Sequence, residues 1–442
     1  MKSKLISIIL SAIVLMVMLT GCGQDGASGV VSGQGYNGDA GEEIVIQFGI
    51  HVANPSSQER VTYEIVQVFN EVNEGQVRVE FVANDTESHL RNMMLAATDD
   101  SLPHIFWLDS AQAVGFAEEG YLLDLSSFLY ENPEVANALE DSAKEAFRSD
   151  IQYGLPYQSN VSGFFYNIEL FSEHGIQPPI NGTTFEELLD MVDSLNEVGI
   201  VPIAQGYMNS GFATWGYFAM LDRWGYSEYI HEILQGDMLF HNDYLFQLFG
   251  RLQELEERNA FAPNMSTQEY FDAKEMFVSG QAAMFNTGSW DSREFDERMG
   301  DTVGFWWGPT FMDSPFSQER AMMVPSAPLV VSVAVADNDA IKEAVYEFLA
   351  FYYSEKAAEI SVGGSIIPAT NFENISISDD QFTIRRIMES VEQGWINPAV
   401  QPDQLLPPAL QSQLYDSILG VLLGNYTPER ALDLLDQQAD FH

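Results

Sequence analysis

The apolar positions of this chain follow two rhythms in turn. "IVIQFGI" (44–50) is a short, nearly continuous apolar run and predicts a buried strand. "SQERVTYEIVQVFNEVN" (57–73) then sets Val61, Ile65, Val68, Phe69 and Val72 on one helical face. "QVRVEFV" (76–82) alternates, with Val77, Val79 and Phe81 on one side, as a strand does. "ESHLRNMMLAAT" (87–98) returns to the helical period and "HIFWL" (104–108) to a strand. Strand, helix, strand, helix, strand predicts an α/β fold with a mostly parallel sheet covered by helices.

The rhythm restarts after Gly154. "VSGFFYN" (161–167) predicts a strand. "TFEELLDMVDSLNEVG" (184–199) predicts a helix opened by a capping box, Thr184 and Glu187, and closed by glycine. Ser266 and Glu269 predict a second box before a helix ending at Gly280. "APLVVSVAVA" (327–336) predicts another buried strand, followed by a helix near 338–353, and Thr427-Pro428 opens the last helix. Ligands of open α/β sheets bind beyond the carboxyl ends of the strands, so the loops there are the candidate site.

Composition changes the picture in one respect. At 46% hydrophobic and 12% aromatic the chain can bury a large core. Its 19 basic against 65 acidic residues, a net charge of −46, exclude nucleic acid, because phosphate binding needs clustered Lys and Arg. The same balance excludes an anionic lipid surface as partner for the folded body. It leaves open a solvated acidic shell, a cation-seeking or calcium-loaded protein, and adaptation to a salty or alkaline medium. Phosphate-loop, nucleophile-elbow and zinc-protease motifs are missing, and the seven histidines are scattered, so neither a metal nor a cofactor is expected. Adjacent acids such as Asp99-Asp100 and Glu118-Glu119 read as solvated faces.

Cys22 is the single cysteine, which rules out an internal disulfide. Lys2 and Lys4 precede an apolar segment, Leu5 to Leu19, of 15 residues. That is short for a bilayer core of about 30 Å and reads as a secretory signal. Leu19-Thr20-Gly21-Cys22 resembles a bacterial lipobox, in which the thiol takes lipid and the chain is cut before the cysteine. The expectation is a signal peptide over 1–21 and a flexible Gly/Ser-rich tether over 22–43.

"FVSGQAAMFNTGSW" (277–290) carries the most specific internal signal. It resembles the F-x-x-G-x-A-A-M-x-x-x-G-x-W stretch of the family 1 extracellular solute-binding proteins of ABC importers, the maltose-binding-protein-like group. "LPHIFWLDSAQAVGFAEEGYLLDL" (102–125), "GLPYQSNVSGFFYNIELFSEHGIQPP" (154–179), "SGFATWGYFA" (210–219) and "GGSIIPA" (363–369) are similar to other stretches of that family, in order. The resemblance implies a two-lobed type II periplasmic-binding-protein fold with a cleft between lobes. The chain would cross near 155–160, 326 and 365, giving lobe I as 44–158 and 327–365, and lobe II as 159–326 and 366–442. It implies a monomeric receptor, anchored to the cell membrane by lipid on Cys22 and facing outward. The receptor captures a carbohydrate, in particular an oligosaccharide, by hinge closure and passes it to an ABC permease without breaking a bond.

The resemblance also nominates the site. Trp290 would be a sugar platform, presented by a glycine turn at Gly288 and emerging beside Asp291. Trp107 and Asp109 match cleft positions, although a strand-end tryptophan can simply pack and Asp109 can cap the helix that follows. Asn160 stands where maltose-binding relatives place a carboxylate, which puts maltose itself in doubt. Phe212 lies near a stacking position, Trp395 is open between ligand and packing, and Gly364 marks the last crossing. Trp215 reads as core. His51 and Asn54 follow the first strand, and Asn84 and Asp85 the second. The acidic balance keeps two other readings open: a receptor for a cationic ligand such as a polyamine or peptide, and an extracellular carbohydrate-active enzyme.

Overall fold

A computed structural model describes residues 43–208, 213–372, 375–398 and 400–439. The lipobox with Cys22, the tether and Phe212 lie outside the described residues. Among the described residues ten strands form the framework: β1 (Ile44–Ile50), β2 (Val77–Ala83), β3 (Ile105–Trp107), β4 (Leu155–Pro156), β5 (Ser159–Asn167), β6 (Val201–Ala204), β7 (Ala282–Gly288), β8 (Val303–Trp306), β9 (Met323–Pro325) and β10 (Pro328–Val331). They build two helix-flanked sheets, ordered β2-β1-β3-β10-β4 and β6-β7-β5-β8, with β9 paired to β5.

Most strands of each sheet run one way. β1 is parallel to β2 and β3, and β6 to β7. One strand in each sheet runs against its neighbours: β10 is antiparallel to β3 and β4, and β5 to β7 and β8. The reversal follows from where the chain changes sheet. It leaves the first sheet at the carboxyl end of β4, so β5 enters the second sheet from the side where β6, β7 and β8 end. β9 and β10 repeat the passage in the other direction. The carboxyl ends of the parallel strands of both sheets therefore open toward the crossings.

Three chain segments lie side by side there. Tyr157 N–H donates to the Ala327 carbonyl at 3.3 Å, Ser326 N–H to Gln158 at 2.9 Å, and Ser159 N–H to Ile367 at 3.0 Å. Ala369 packs into the first core and Thr370 bridges Leu139.

Each sheet has its own apolar core. Phe48, Phe69, Ile105, Leu329 and Phe348 belong to the first, and Phe165, Leu188, Val192, Met284 and Trp306 to the second. Local signals explain many element ends. Thr184 and Glu187 form the expected reciprocal capping box on helix Phe185–Glu197. The expected box at Ser266 and Glu269 is displaced by one helical turn. Met265–Thr267 is a 3-10 turn, Glu269 is itself the N-cap of helix Tyr270–Val278, and Asp272 completes the box. The strand expected over 327–336 ends at Val331, because the Ser332 hydroxyl accepts from Ala334 N–H and opens a 3-10 turn. The helix expected over 57–73 is broken at Glu59, with a short turn Pro55–Gln58 before it and helix Arg60–Val72 after it.

Candidate functional site

The first sheet presents an aromatic wall where β1 and β3 end. His51, just past β1, stacks on Trp107, the last residue of β3, with ring centroids 4.0 Å apart and planes at 23°. His89 is fully buried behind them, and its Nε2 sits 2.7 Å from the Trp107 carbonyl, so that nitrogen carries the proton and donates. Burial pushes the His51 imidazole down to about 3, and His89 adds to the shift. Its Nε2 is 3.9 Å from Glu59 Oε1. With the ring neutral at ordinary pH this is a polar contact, not an ion pair. Burial pushes the Glu59 carboxyl up to about 7, against the pull of the Tyr157 hydroxyl that donates to it at 3.1 Å. Tyr157 belongs to a crossing segment, so the wall is tied to the point where the halves join. Tyr352 adds a bond to the Tyr157 carbonyl at 3.1 Å.

Asp109 follows β3 and caps helix Ser110–Glu118, its carboxylate accepting from Gln112 N–H at 2.8 Å. Burial raises its pKa, with the N–H groups of Gln112 and Ala111 opposing. It remains half-buried and close enough to the second half to act on Tyr415. Burial and the neighbouring Asp403 hold the Tyr415 phenol far above its usual pKa, and Asp109 contributes to the same shift.

The second sheet supplies the opposite wall at the end of β7. Trp290 is half-buried and meets Trp215 edge to face, centroids 5.3 Å apart and planes at 86°. Two glycines make that meeting possible. Gly288 is extended (φ −135°), not a turn; its role is to let the Trp290 ring lie over its Cα, where a Cβ would come within 2.1 Å of the indole. Gly216 packs so closely on the sheet that a Cβ would fall 1.9 Å from Asn286 Oδ1. That close approach brings Trp215 beside Trp290. The Trp290 indole N–H donates to the Tyr270 hydroxyl at 2.9 Å.

The remaining candidates separate. Asn160, at the start of β5, is half-buried and accepts from the Gln158 amide at 2.9 Å. Asn84 is half-buried and accepts from Asn92 at 3.3 Å. Asn54 and Asp85 are exposed N-caps. Asp291 does not emerge beside Trp290: it is 5% exposed, and its oxygens are taken by Tyr270, Thr287 and Lys274. Gly364 is also a packing position, since a Cβ there would lie 2.2 Å from Val61 Cγ2. Trp395 rests on the second core with the buried Arg223 guanidinium 5.6 Å from its ring centre. Trp215, which reads as core in the sequence, does pack partly buried against the second core, and its ring also meets Trp290. Trp215, Tyr270, Tyr415, Glu59 and Tyr157 were not singled out for the site; apart from an aromatic or acid near a strand end, no local pattern marks them.

The arrangement offers an aromatic pair from each half, stacked in the first and edge to face in the second, with carboxyl, amide and phenol groups beside them. Such a site can hold a ligand that shows apolar ring faces and hydrogen-bonding edges.

Comparison with known proteins agrees with this geometry. Residues 54–359 match the family described as bacterial extracellular solute-binding protein. A structure from work on xylan utilization by the thermophilic bacterium Caldanaerobius polysaccharolyticus superposes with a TM-score of 0.77 at 21% identity, over 89% of this chain and 100% of that one. A chitin oligosaccharide binding protein gives 0.76 at 20% identity, over 90% and 98%. An ABC substrate-binding protein of Listeria monocytogenes in complex with cycloalternan gives 0.68 at 20% identity, over 90% and 98%. At such identities the likeness is one of fold, and it establishes the two-lobed α/β architecture. An uncharacterized ABC transporter extracellular-binding protein of Pyrococcus horikoshii is 25% identical over 146 residues, 32% of this chain and 32% of that protein. Among the described residues no helix is long and apolar enough to cross a membrane. With more than half its length matched, the chain belongs to the bacterial extracellular solute-binding proteins.

Proposed function

We propose that this chain is a lipid-anchored extracellular receptor that captures a neutral oligosaccharide between its two halves and hands it to an ABC permease. The observation that carries the reading is the two aromatic pairs, His51 on Trp107 past the ends of β1 and β3 and Trp215 against Trp290 past the end of β7. Sugar rings have flat C–H faces that stack on such walls, and hydroxyls that suit Asp109 and Asn160. The fold relatives named for chitin oligosaccharide and cycloalternan support the same ligand class.

We read lobe I as 44–158 and 327–365, and lobe II as 159–326 and 366–442, with 369–371 returning to the first core. Ligand touching both walls favours the closed arrangement because the open one cannot make both sets of contacts. No bond is made or broken, and the receptor works as a monomer. The lipobox at Cys22 supplies the anchor, since acyl chains on one residue hold a protein that no helix spans.

A thermal-shift screen over xylo-, chito- and malto-oligosaccharides, raffinose, polyamines and short peptides tests the reading. A ligand of the folded state raises the melting temperature. Stabilisation by an oligosaccharide is expected. Stabilisation by polyamines alone, weakening with salt, would replace the sugar reading with a cationic one.

A further inference from the structure

The Trp290 platform has a polar support behind it that ligand contact alone does not require. Tyr270 is the first residue of helix Tyr270–Val278, and Lys274 follows one turn later on the same helical face. Both reach the end of β7. The Tyr270 hydroxyl accepts the Trp290 indole N–H at 2.9 Å and donates to Asp291 Oδ2. Thr287 donates to the same oxygen at 2.7 Å. Lys274 reaches Asp291 Oδ1 at 3.2 Å and Glu294 at 2.7 Å. Tyr270, Lys274, Asp291 and Thr287 are all buried, in a chain whose other charges mostly face water.

We propose that Tyr270 is a positioning residue: its hydroxyl, anchored by Asp291 and Lys274, fixes the tilt of the Trp290 indole against Trp215. The proposal rests on the reading of Trp290 as a ligand platform. A hydrogen bond to the polar edge of a tryptophan restricts its side-chain torsions. Gly288 and Trp215 restrict two faces of the ring, and neither grips the N–H. A phenol suits the task because it can accept one hydrogen bond while donating another. Its donation to a carboxylate is charge-assisted and therefore strong, which stiffens the whole relay from indole to Asp291. Burial and the Asp291 charge hold the Tyr270 phenol well above its usual pKa, so it keeps its proton at working pH. Phenylalanine would fill the same space without gripping the indole.

The test compares Tyr270→Phe with Thr287→Val in the full chain. Thr287→Val removes a bond to the same carboxylate and a contact with the Tyr270 hydroxyl, but leaves the bond between Tyr270 and Trp290. Two perpendicular indoles in contact give an excitonic dichroic couplet, identified here as the signal lost in both Trp290→Phe and Trp215→Phe. Tyr270→Phe is expected to lose most of that couplet without ligand. It should also weaken binding of whichever of chitotriose, xylotetraose or raffinose the wild type binds, by about 10-fold, as for a lost hydrogen bond to a charged relay. Thr287→Val should lower the melting temperature while keeping couplet and affinity. The proposal is overturned if Tyr270→Phe keeps the couplet, or if Thr287→Val loses it equally, which would make the cluster a structural support only. A measurement without any change at Tyr270 decides independently. The Trp290 indole proton, assigned by its loss in Trp290→Phe, should exchange slowly with solvent, and rapid exchange overturns the proposal. If none of the three sugars binds the wild type, the sugar reading suffers, and the couplet and exchange still decide the role of Tyr270.

Discussion

Arg60 and Glu297 join the two halves of the molecule by a two-bonded ion pair. Arg60 opens helix Arg60–Val72 beside the first sheet, and Glu297 belongs to helix Ser292–Met299 beside the second; the guanidinium nitrogens lie 3.2 and 3.1 Å from the carboxylate oxygens. Arg293 holds the same carboxylate at 2.9 Å. The two partners are 43% and 46% exposed, so the pair contributes no more than about 1 kcal/mol. Arg60→Ala should let the halves separate further, raising the radius of gyration of the unliganded protein in small-angle scattering. Ligand affinity should fall by at most about 5-fold, and the difference should fade at high salt. Identical scattering and affinity at low salt would show that the pair does not restrain the halves.

Trp290→Ala should lower sugar affinity by about 30- to 1000-fold, the range of an aromatic hot spot. The unliganded melting temperature should move much less, because the ring is only half-buried. Calorimetric titration and thermal melting on the same samples check both halves of the expectation. Unchanged affinity with a collapsed fold would return Trp290 to the core.

Glu59 predicts a pH dependence of stability with a definite sign. Its folded pKa of about 7 is above the ordinary 4.5, so its contribution is fully present below 4.5 and is lost as pH rises through 7. His51 acts the other way at lower pH. Its folded pKa of about 3 lies below 6.5, so the unfolded chain takes up the proton first and stability falls as pH drops from 6.5 toward 3. Glu59→Gln keeps an acceptor for Tyr157 and removes the titration. The variant should gain in melting temperature relative to wild type between pH 5 and pH 8. A constant difference across that range would place Glu59 in an ordinary solvated state.

Cys22→Ala should abolish lipid attachment and cleavage before residue 22. Mass spectrometry of membrane-associated protein checks this directly. A variant that still carries lipid and matures at residue 22 would remove the lipobox reading.

Patterns that depend on near neighbours were legible in the sequence, and contacts between distant segments were not. β1 and the Thr184–Glu187 box were readable because a strand run or a cap is a matter of a few residues. Val72 fits the apolar face of its helix by spacing but lies 68% exposed, since it falls in the last turn beyond the reach of the sheet. Trp290 stood out through its motif. Its partners Trp215 and Tyr270 could not, because Gly216 and the helix cap at Glu269 place them through tertiary packing. The burial of Asp291 was hidden for the same reason: sequence shows an acid beside a tryptophan, and only the fold shows Lys274 and Tyr270 bonded to it.

The reversed strand β10 has a consequence for how the chain reaches its native state. It sits between β3 and β4, so the first sheet stays split until residues 328–331 have been made and exported. The second sheet's main strands, β5 to β8, are contiguous in sequence and need no such wait. Pairings across so long a separation form late and slowly, because closing the intervening loop costs entropy before any contact rewards it. Acquisition of the native fold therefore runs against the order of synthesis: the sheet begun first is the sheet completed last, and until then β3 has an unpaired edge that other chains could add to.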